Sequence, residues 1–292
     1  MHYALYYSLF TIDYSLLPTC KNLPLQIGLY IITMKFMDNL LEFAVHCVRE
    51  SGKIQHRYYE KNFAIHHKGE INLVTDVDFA CQERIIKLIQ KNFPKDNIIS
   101  EEQLNCFVGK TNNWIIDPLD GTTNYAHGYP FFCTSVAYEV KGVVMLGVVY
   151  NPIFRELFIA RKGRGAYLNG RKIHVSAVGD LKKSLLSTGF PYDISTSAKN
   201  NIDHFTNFLY EAQALRRDGS AALNLCYTAC GRFDGFWEMK LNSWDMAAGA
   251  LIVEEAGGRV TNLAGKKFSP YKNDIIASNN FIHQAMVKVL KK

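Results

Sequence analysis

Charge is scarce at the start of this chain: among the first 36 residues only Asp13, Lys21 and Lys35 are charged. A secretory signal needs a basic n-region, an unbroken apolar core and a small-residue cleavage site, whereas Asp13, Pro18, Lys21 and Pro24 interrupt the apolar run. Its cleanest stretch, Leu25 to Met34, is far shorter than the roughly 20 residues that span a bilayer. Residues 1–36 therefore read as an extension the domain does not need, with a peripheral arm as second reading and no membrane role. Closely spaced cysteine pairs are missing too. The seven cysteines include no C-x-x-C, which excludes the usual zinc ligand sets, and Cys226 and Cys230 sit at helical spacing in an apolar run. Free thiols in a reducing cytoplasm are the simpler reading. There is no internal repeat and no low-complexity linker. Of the 292 residues 48% are apolar, which excludes disorder, and the net charge of +6 is too mild to indicate nucleic acid by itself.

Patterned elements begin at Met37, where Leu41, Ala44, Val45 and Val48 recur at helical spacing until Gly52 interrupts the run. A second helix is expected from Asp78 to Lys91. Strands are expected at Trp114 to Ile116, Phe132 to Val140, Val143 to Tyr150 and Leu157 to Ala160. A hairpin over Ala166 to Val175 turns at Asn169-Gly170. After that, β-type segments at Ser184 to Ser187, Gly235 to Trp237, Arg259 to Thr261 and Ile275 to Ala277 alternate with helical patterns. Those helices cover Ile202 to Leu215, Ser220 to Cys230, Asp245 to Ala256 and Phe281 to Leu290. The fold class is layered α/β, with an α+β N-terminal half (about 37–180) and an α/β C-terminal half (about 181–292) fused across one interface.

The densest chemical signal runs from Trp114 to Asn124, where an apolar strand delivers Asp117 and Asp120 into a turn made by Pro118 and Gly121. Thr122 and Thr123 follow as helix caps. Two carboxylates at a strand end can share a hard divalent cation, and a helix start beside them offers N–H groups to an anion. Taken alone, such a turn is equally an acidic surface loop. Context favours chemistry: Glu101 and Glu102 follow the apolar pair Ile98-Ile99, and Asp245 opens a helix after a β-type stretch. Jointly they suggest a carboxylate-lined two-metal centre.

These segments, Asn72 through Asp78, Glu101-Glu102, Asp117 through Asn124, Glu238 and Trp244-Asp245, resemble the inositol monophosphatase family of magnesium-dependent phosphatases. The resemblance covers Met37 to the C-terminus, and Arg216 to Asn224 and Tyr125 to Phe132 look like its bacterial branch. It implies the αβαβα sugar-phosphatase fold. It also implies Mg2+ as cofactor, bound by Glu101, Asp117, the Leu119 carbonyl and Asp120, with Asp245 closing a second metal site. Asp78 and Thr122, with Glu101, match the groups that orient and activate the attacking water. Gly121 and Thr122 match the phosphate cradle, and Asp120, Ala221, Glu238 and Asp245 match substrate contacts. Ser100 stands where relatives often have Gly.

The activity implied is magnesium-dependent, lithium-sensitive hydrolysis of inositol monophosphate by a cytoplasmic homodimer. The alternatives are fructose 1,6-bisphosphate or NADP as substrate, or a non-enzymatic accessory role in RNA synthesis, since some bacterial relatives are linked to RNA polymerase. The intact acidic set favours the enzyme, because a binding module gains nothing from clustered like charges. The loops Phe190 to Asp193 and Glu238 to Ser243 are expected to shape the pocket. His66, His67, His127 and His174 lack metal-ligand spacing and read as structural or surface groups. Arg216 and Arg217 read as a salt-bridging or subunit-contact surface, and Lys68 matches a lysine near the family site.

Overall fold

The first helix, α1 (Leu23–Tyr58), begins well before Met37, where the periodicity predicts it. Pro24 lies in its first turn, where a missing N–H costs nothing, and no further proline occurs in the helix. The computed structural model describes residues 23–61, 64–67, 73–102 and 112–292, with side chains from residue 36 onward. Residues 1–22, Lys68 and Asn72 lie outside the described residues, as do Cys20 and Cys106. The chain divides into two compact units, Met1–His46 and Cys47–Lys292, and the layered fold belongs to the second. Gly52 does not end α1 either. A Cβ there would sit 2.7 Å from the Tyr150 ring, so this glycine serves close packing rather than termination.

A short hairpin of β1 (Ile65–His67) and β2 (Leu73–Thr75) leads into α2 (Asp76–Asn92). A seven-stranded sheet follows in the order β3 (Asn97–Ser100), β4 (Asn112–Asp120), β5 (Cys133–Val140), β6 (Val143–Asn151), β7 (Glu156–Arg161), β8 (Ala166–Leu168), β9 (Arg171–Lys172). Only β3 runs parallel to its neighbour. The β8–β9 turn is made by Asn169 and Gly170, both at positive φ as the hairpin signal requires.

The second sheet has the order β11 (Ala214–Arg216), β10 (Leu185–Thr188), β12 (Gly235–Met239), β14 (Asp274–Ser278), β13 (Arg259–Thr261). The helix expected over Ile202 to Leu215 is therefore shorter: α4 (Ile202–Glu211) ends at Ala212, and Ala214 to Arg216 pair with β10 as an edge strand. Short apolar runs read equally well as helix or strand, and pairing decides here.

Helices α5 (Ala221–Ala229) and α6 (Ser243–Glu255) lie between the two sheets, while α4 and α7 (His283–Val289) cover the outer face of the smaller one. With α2 on the far side of the large sheet, the layers run α, β, α, β, α, the sugar-phosphatase architecture expected. Apolar positions on both sides of α6 explain its burial: Met246, Ile252 and Leu251 join Ile115, Phe158, Phe236 and Ile275 in one core spanning both sheets.

Candidate active site

The acidic corner is built by a break in the β4–β5 ladder. Pairing runs to Asp117 and Ser135, then jumps to Asp120 and Cys133, because Pro118 has no N–H to donate. The Pro118 carbonyl turns inward and accepts from Gln55 Nε2 at 2.8 Å and Thr134 Oγ1 at 3.1 Å. Gly121 then adopts φ 95°, where a Cβ would meet the Phe131 carbonyl at 2.9 Å, and starts α3 (Thr122–Ala126). Gly121 is itself the N-cap, which corrects the expectation that Thr122 and Thr123 cap this helix. The Thr122 hydroxyl is engaged elsewhere, 2.9 Å from Asp78 Oδ1 and 3.1 Å from the Leu119 carbonyl.

Asp78 is held by the opening of α2. Thr75 caps that helix, and its N–H donates to Asp78 Oδ2 at 2.8 Å while its hydroxyl donates to the same oxygen. Burial outweighs these bonds and pushes the Asp78 carboxyl up to about 6.

Each aspartate of the cleft commits one oxygen to a fixed donor. Asp117 Oδ1 accepts from Leu119 N at 3.0 Å, and Asp245 Oδ2 accepts from Asn242 N at 2.6 Å in the capping box of α6. Asp120 Oδ2 accepts from Ser220 Oγ at 2.6 Å and Ala222 N at 2.7 Å, where the start of α5 presents its unpaired N–H groups. One oxygen of each of these three aspartates is thereby fixed in place. Burial first, then the neighbouring carboxylates, holds Asp117 and Asp245 well above the ordinary range; burial lifts Asp120 to about 6 and Glu238 to about 8.

A cleft of about 680 Å³ collects Glu101, Asp117, Leu119, Asp120, Gly121, Thr122, Ala221, Glu238 and Asp245, every expected site residue except Asp78, which stands behind Thr122. All donors facing it are oxygens, which suits a hard divalent cation rather than zinc or copper. Among the described residues no three His, Cys, Asp or Glu side chains are arranged to hold an ion unaided. Carbonyl, solvent and substrate oxygens would have to complete the shell, as is usual for magnesium. The donor set therefore fits the metal by its chemistry and its unrelieved charge.

Several cleft residues carry no motif. Both loops expected to shape the pocket line it, and they are tied together: Lys240 Nζ donates to Asp193 Oδ2 at 2.6 Å and Ser197 Oγ at 2.7 Å. Tyr192 lines the same wall, its hydroxyl pushed up by burial and then by Glu101 and Asp120. Arg217 lines the cleft, and its charge is felt by Glu238. Its place directly after a strand end and three residues before the Ser220 cap is the signal that could have found it. Gly189 is required by Glu238, whose carboxyl oxygen lies 2.1 Å from where a Cβ would stand. The histidines stay outside: His66 pairs with Asp76 at 2.8 Å and His127 ends α3.

The model of the inositol monophosphatase family matches residues 37–292. The chain belongs to that family. It is 38% identical over 267 residues to inositol monophosphatase 2 of Solanum lycopersicum, covering 88% of this chain and 99% of the relative. It is also 38% identical over 269 residues to Nus factor SuhB of Pseudomonas aeruginosa, covering 87% and 97% of the two chains. The solved inositol monophosphatase of Anabaena (Nostoc) sp. PCC 7120 superposes with a TM-score of 0.80 at 38% identity, covering 87% of this chain and 96% of that one. Phosphoric monoester hydrolysis is the chemistry of this family, and among the described residues no helix is long and apolar enough to cross a membrane.

Proposed function

We propose that this chain hydrolyses inositol monophosphate to inositol and phosphate with magnesium as cofactor. The observation that carries the reading is the convergence of Glu101, Asp117, Asp120 and Asp245, from three separate segments, on one cleft beside Thr122 and Glu238. Carboxylates raised by burial and then by one another's charge are arranged for a cation, and a phosphate monoester needs one because water must attack an anion. Bound by Glu101, Asp117, the Leu119 carbonyl, Asp120 and Asp245, magnesium would supply charge neutralisation and a more acidic water.

The chain's own residues do the remainder. Asp78 accepts the Thr122 proton, which turns the Thr122 oxygen's lone pairs outward to take a proton from a nucleophile in the cleft. Gly121, with no side chain, leaves the start of α3 open to a phosphate oxygen. Glu238, with its carboxyl held near 8, carries a proton at neutral pH and so offers a polyol both a donor and an acceptor. Ala221 leaves room for the ring beside it. Arg217 adds positive charge on the alcohol side, suited to an anionic substrate.

The experiment is a substrate panel at fixed magnesium with inositol 1-phosphate, fructose 1,6-bisphosphate and NADP. Preference for inositol 1-phosphate, its loss in Asp120→Asn and inhibition by lithium support the reading. Preference for either other substrate replaces it, and no turnover of any would leave the accessory role suggested by the relatives named Nus factor.

A further inference from the structure

A second cavity, of about 390 Å³, lies away from the carboxylate cleft, between the C-terminal part of α1 and the β6–β7 turn. Its lining is Arg49, Gly52, Lys53, His56, Arg57, Tyr150, Pro152 and Arg155, with no acidic residue among them. The first cleft is acidic; every charged residue lining this one is basic.

Helical spacing creates the cluster. Arg49, Lys53 and Arg57 follow one another at i, i+4 and i+8, so three cations stack along one face of α1. Like charges at this spacing destabilise a helix. The negative end of the helix accounts for His56 and Arg57 in the last turn, but not for Arg49 more than two turns earlier. Nor does it account for Arg155, which arrives from another element with φ 54°, a conformation that favours glycine. Neutralisation within the protein is slight. Glu50 is shared between Lys53 and Arg84, and among the described residues Arg49, Arg57 and Arg155 form no ion pair. Arg57 has only the Tyr58 ring, 5.7 Å from its guanidinium carbon.

The shape is as defined as the charge. Gly52 lets α1 approach the Tyr150 ring and Pro152, which together form an apolar floor between the arginines. Guanidinium groups around a concave site match phosphate oxygens bidentately, and an opening of this size takes a small molecule. We propose that this cavity binds a small ligand carrying two or more phosphate groups, at a site separate from the catalytic cleft.

The probe is inorganic tripolyphosphate, titrated calorimetrically into the full-length protein in low salt with EDTA present, so that the carboxylate cleft holds no cation and repels anions. One ligand per chain is expected. Arg49→Gln with Arg155→Gln should weaken binding at least tenfold, since each removes charge-assisted hydrogen bonds. Arg217→Gln, in the other cleft, should leave it unchanged. Turnover of the double variant in magnesium should match the parent and shows that it folds; if it does not, the single Arg155→Gln variant carries the same comparison with a smaller loss. Absence of binding, equal binding by the arginine variants, or loss through Arg217→Gln would overturn the proposal. So would a single-stranded oligonucleotide that binds more tightly than tripolyphosphate with affinity rising with its length, which would make the patch a nucleic-acid surface.

Discussion

Asp78→Asn should make the metal-free protein more stable while removing its turnover. The Asp78 carboxyl is fully buried and raised from its ordinary 3.8 to about 6. At about 1.4 kcal/mol per pH unit, its ionised form costs the native state about 3 kcal/mol above pH 6. The sign follows from the raised value: the folded protein holds this proton more tightly than the unfolded chain. Stability is therefore highest below about pH 4 for this group, falls as pH rises to about 6, and then stays level. Asparagine removes the charge without orphaning its partners. Its carbonyl can keep both Thr75 donors, while its amide donates to Thr122, whose hydroxyl then turns to the Leu119 carbonyl 3.1 Å away. A gain of about 1–3 kcal/mol corresponds to roughly 2–10 °C in melting temperature for a chain of this size. The assay is thermal unfolding in EDTA at pH 7.5 and pH 4.5, followed by circular dichroism. A variant that melts no higher than the parent at pH 7.5, or gains as much at pH 4.5, would refute the claim that burial of a charge governs this site.

Gly189→Ala puts a Cβ into the Glu238 carboxyl, so KM for the preferred monoester should rise about tenfold, the worth of one hydrogen bond to the substrate, with kcat changed less; an unaltered KM in steady-state assays would contradict the contact. Because Glu238 is held near 8, KM should climb as pH passes that value and the climb should vanish in Glu238→Gln; a profile shared by both proteins argues against Glu238 as a substrate contact. Lys240 sits at φ 60° and ties Asp193 and Ser197 through a half-exposed ion pair. Lys240→Gly trades that pair for a relaxed backbone, and chemical denaturation should show a change below about 1 kcal/mol; a larger loss would mean the tie holds the loops together. A chain beginning at Met37 should remain folded and active despite the start of α1 at Leu23, and precipitation or loss of turnover on truncation would show that residues 1–36 belong to the working protein.

Much of this site was legible because its chemistry is local. Asp117, Asp120 and Gly121 fall within one turn, and a strand ending in Asp-Pro-Leu-Asp-Gly announces a bulge, since Pro118 cannot extend a ladder. Glu101 and Asp245 were legible as acids at element ends, although their meeting in one cleft depends on α6 passing between two sheets, which no local pattern encodes. Arg217 and Lys240 were misread or missed for the opposite reason. Their residue types suit a solvated surface, and only the positions of β11 and β12 bring them to the cleft. The same limit governs the fold. The strongly periodic α2, α5 and α6 emerge within a few residues of their expected bounds, whereas β11 hides in an apolar run whose pairing with β10 outweighs its helical spacing. Thr122 shows how a local rule yields to a tertiary one: its hydroxyl would cap a helix, but Asp78 on α2 stands 2.9 Å away and takes it.

The most direct test of the central claim is phosphate release from inositol 1-phosphate by the purified full-length protein, with magnesium and again with EDTA. The account predicts steady turnover in magnesium, its abolition by EDTA and its near-complete loss in Asp120→Asn. Turnover that persists in EDTA, or a protein inactive on this substrate with magnesium present, would contradict it.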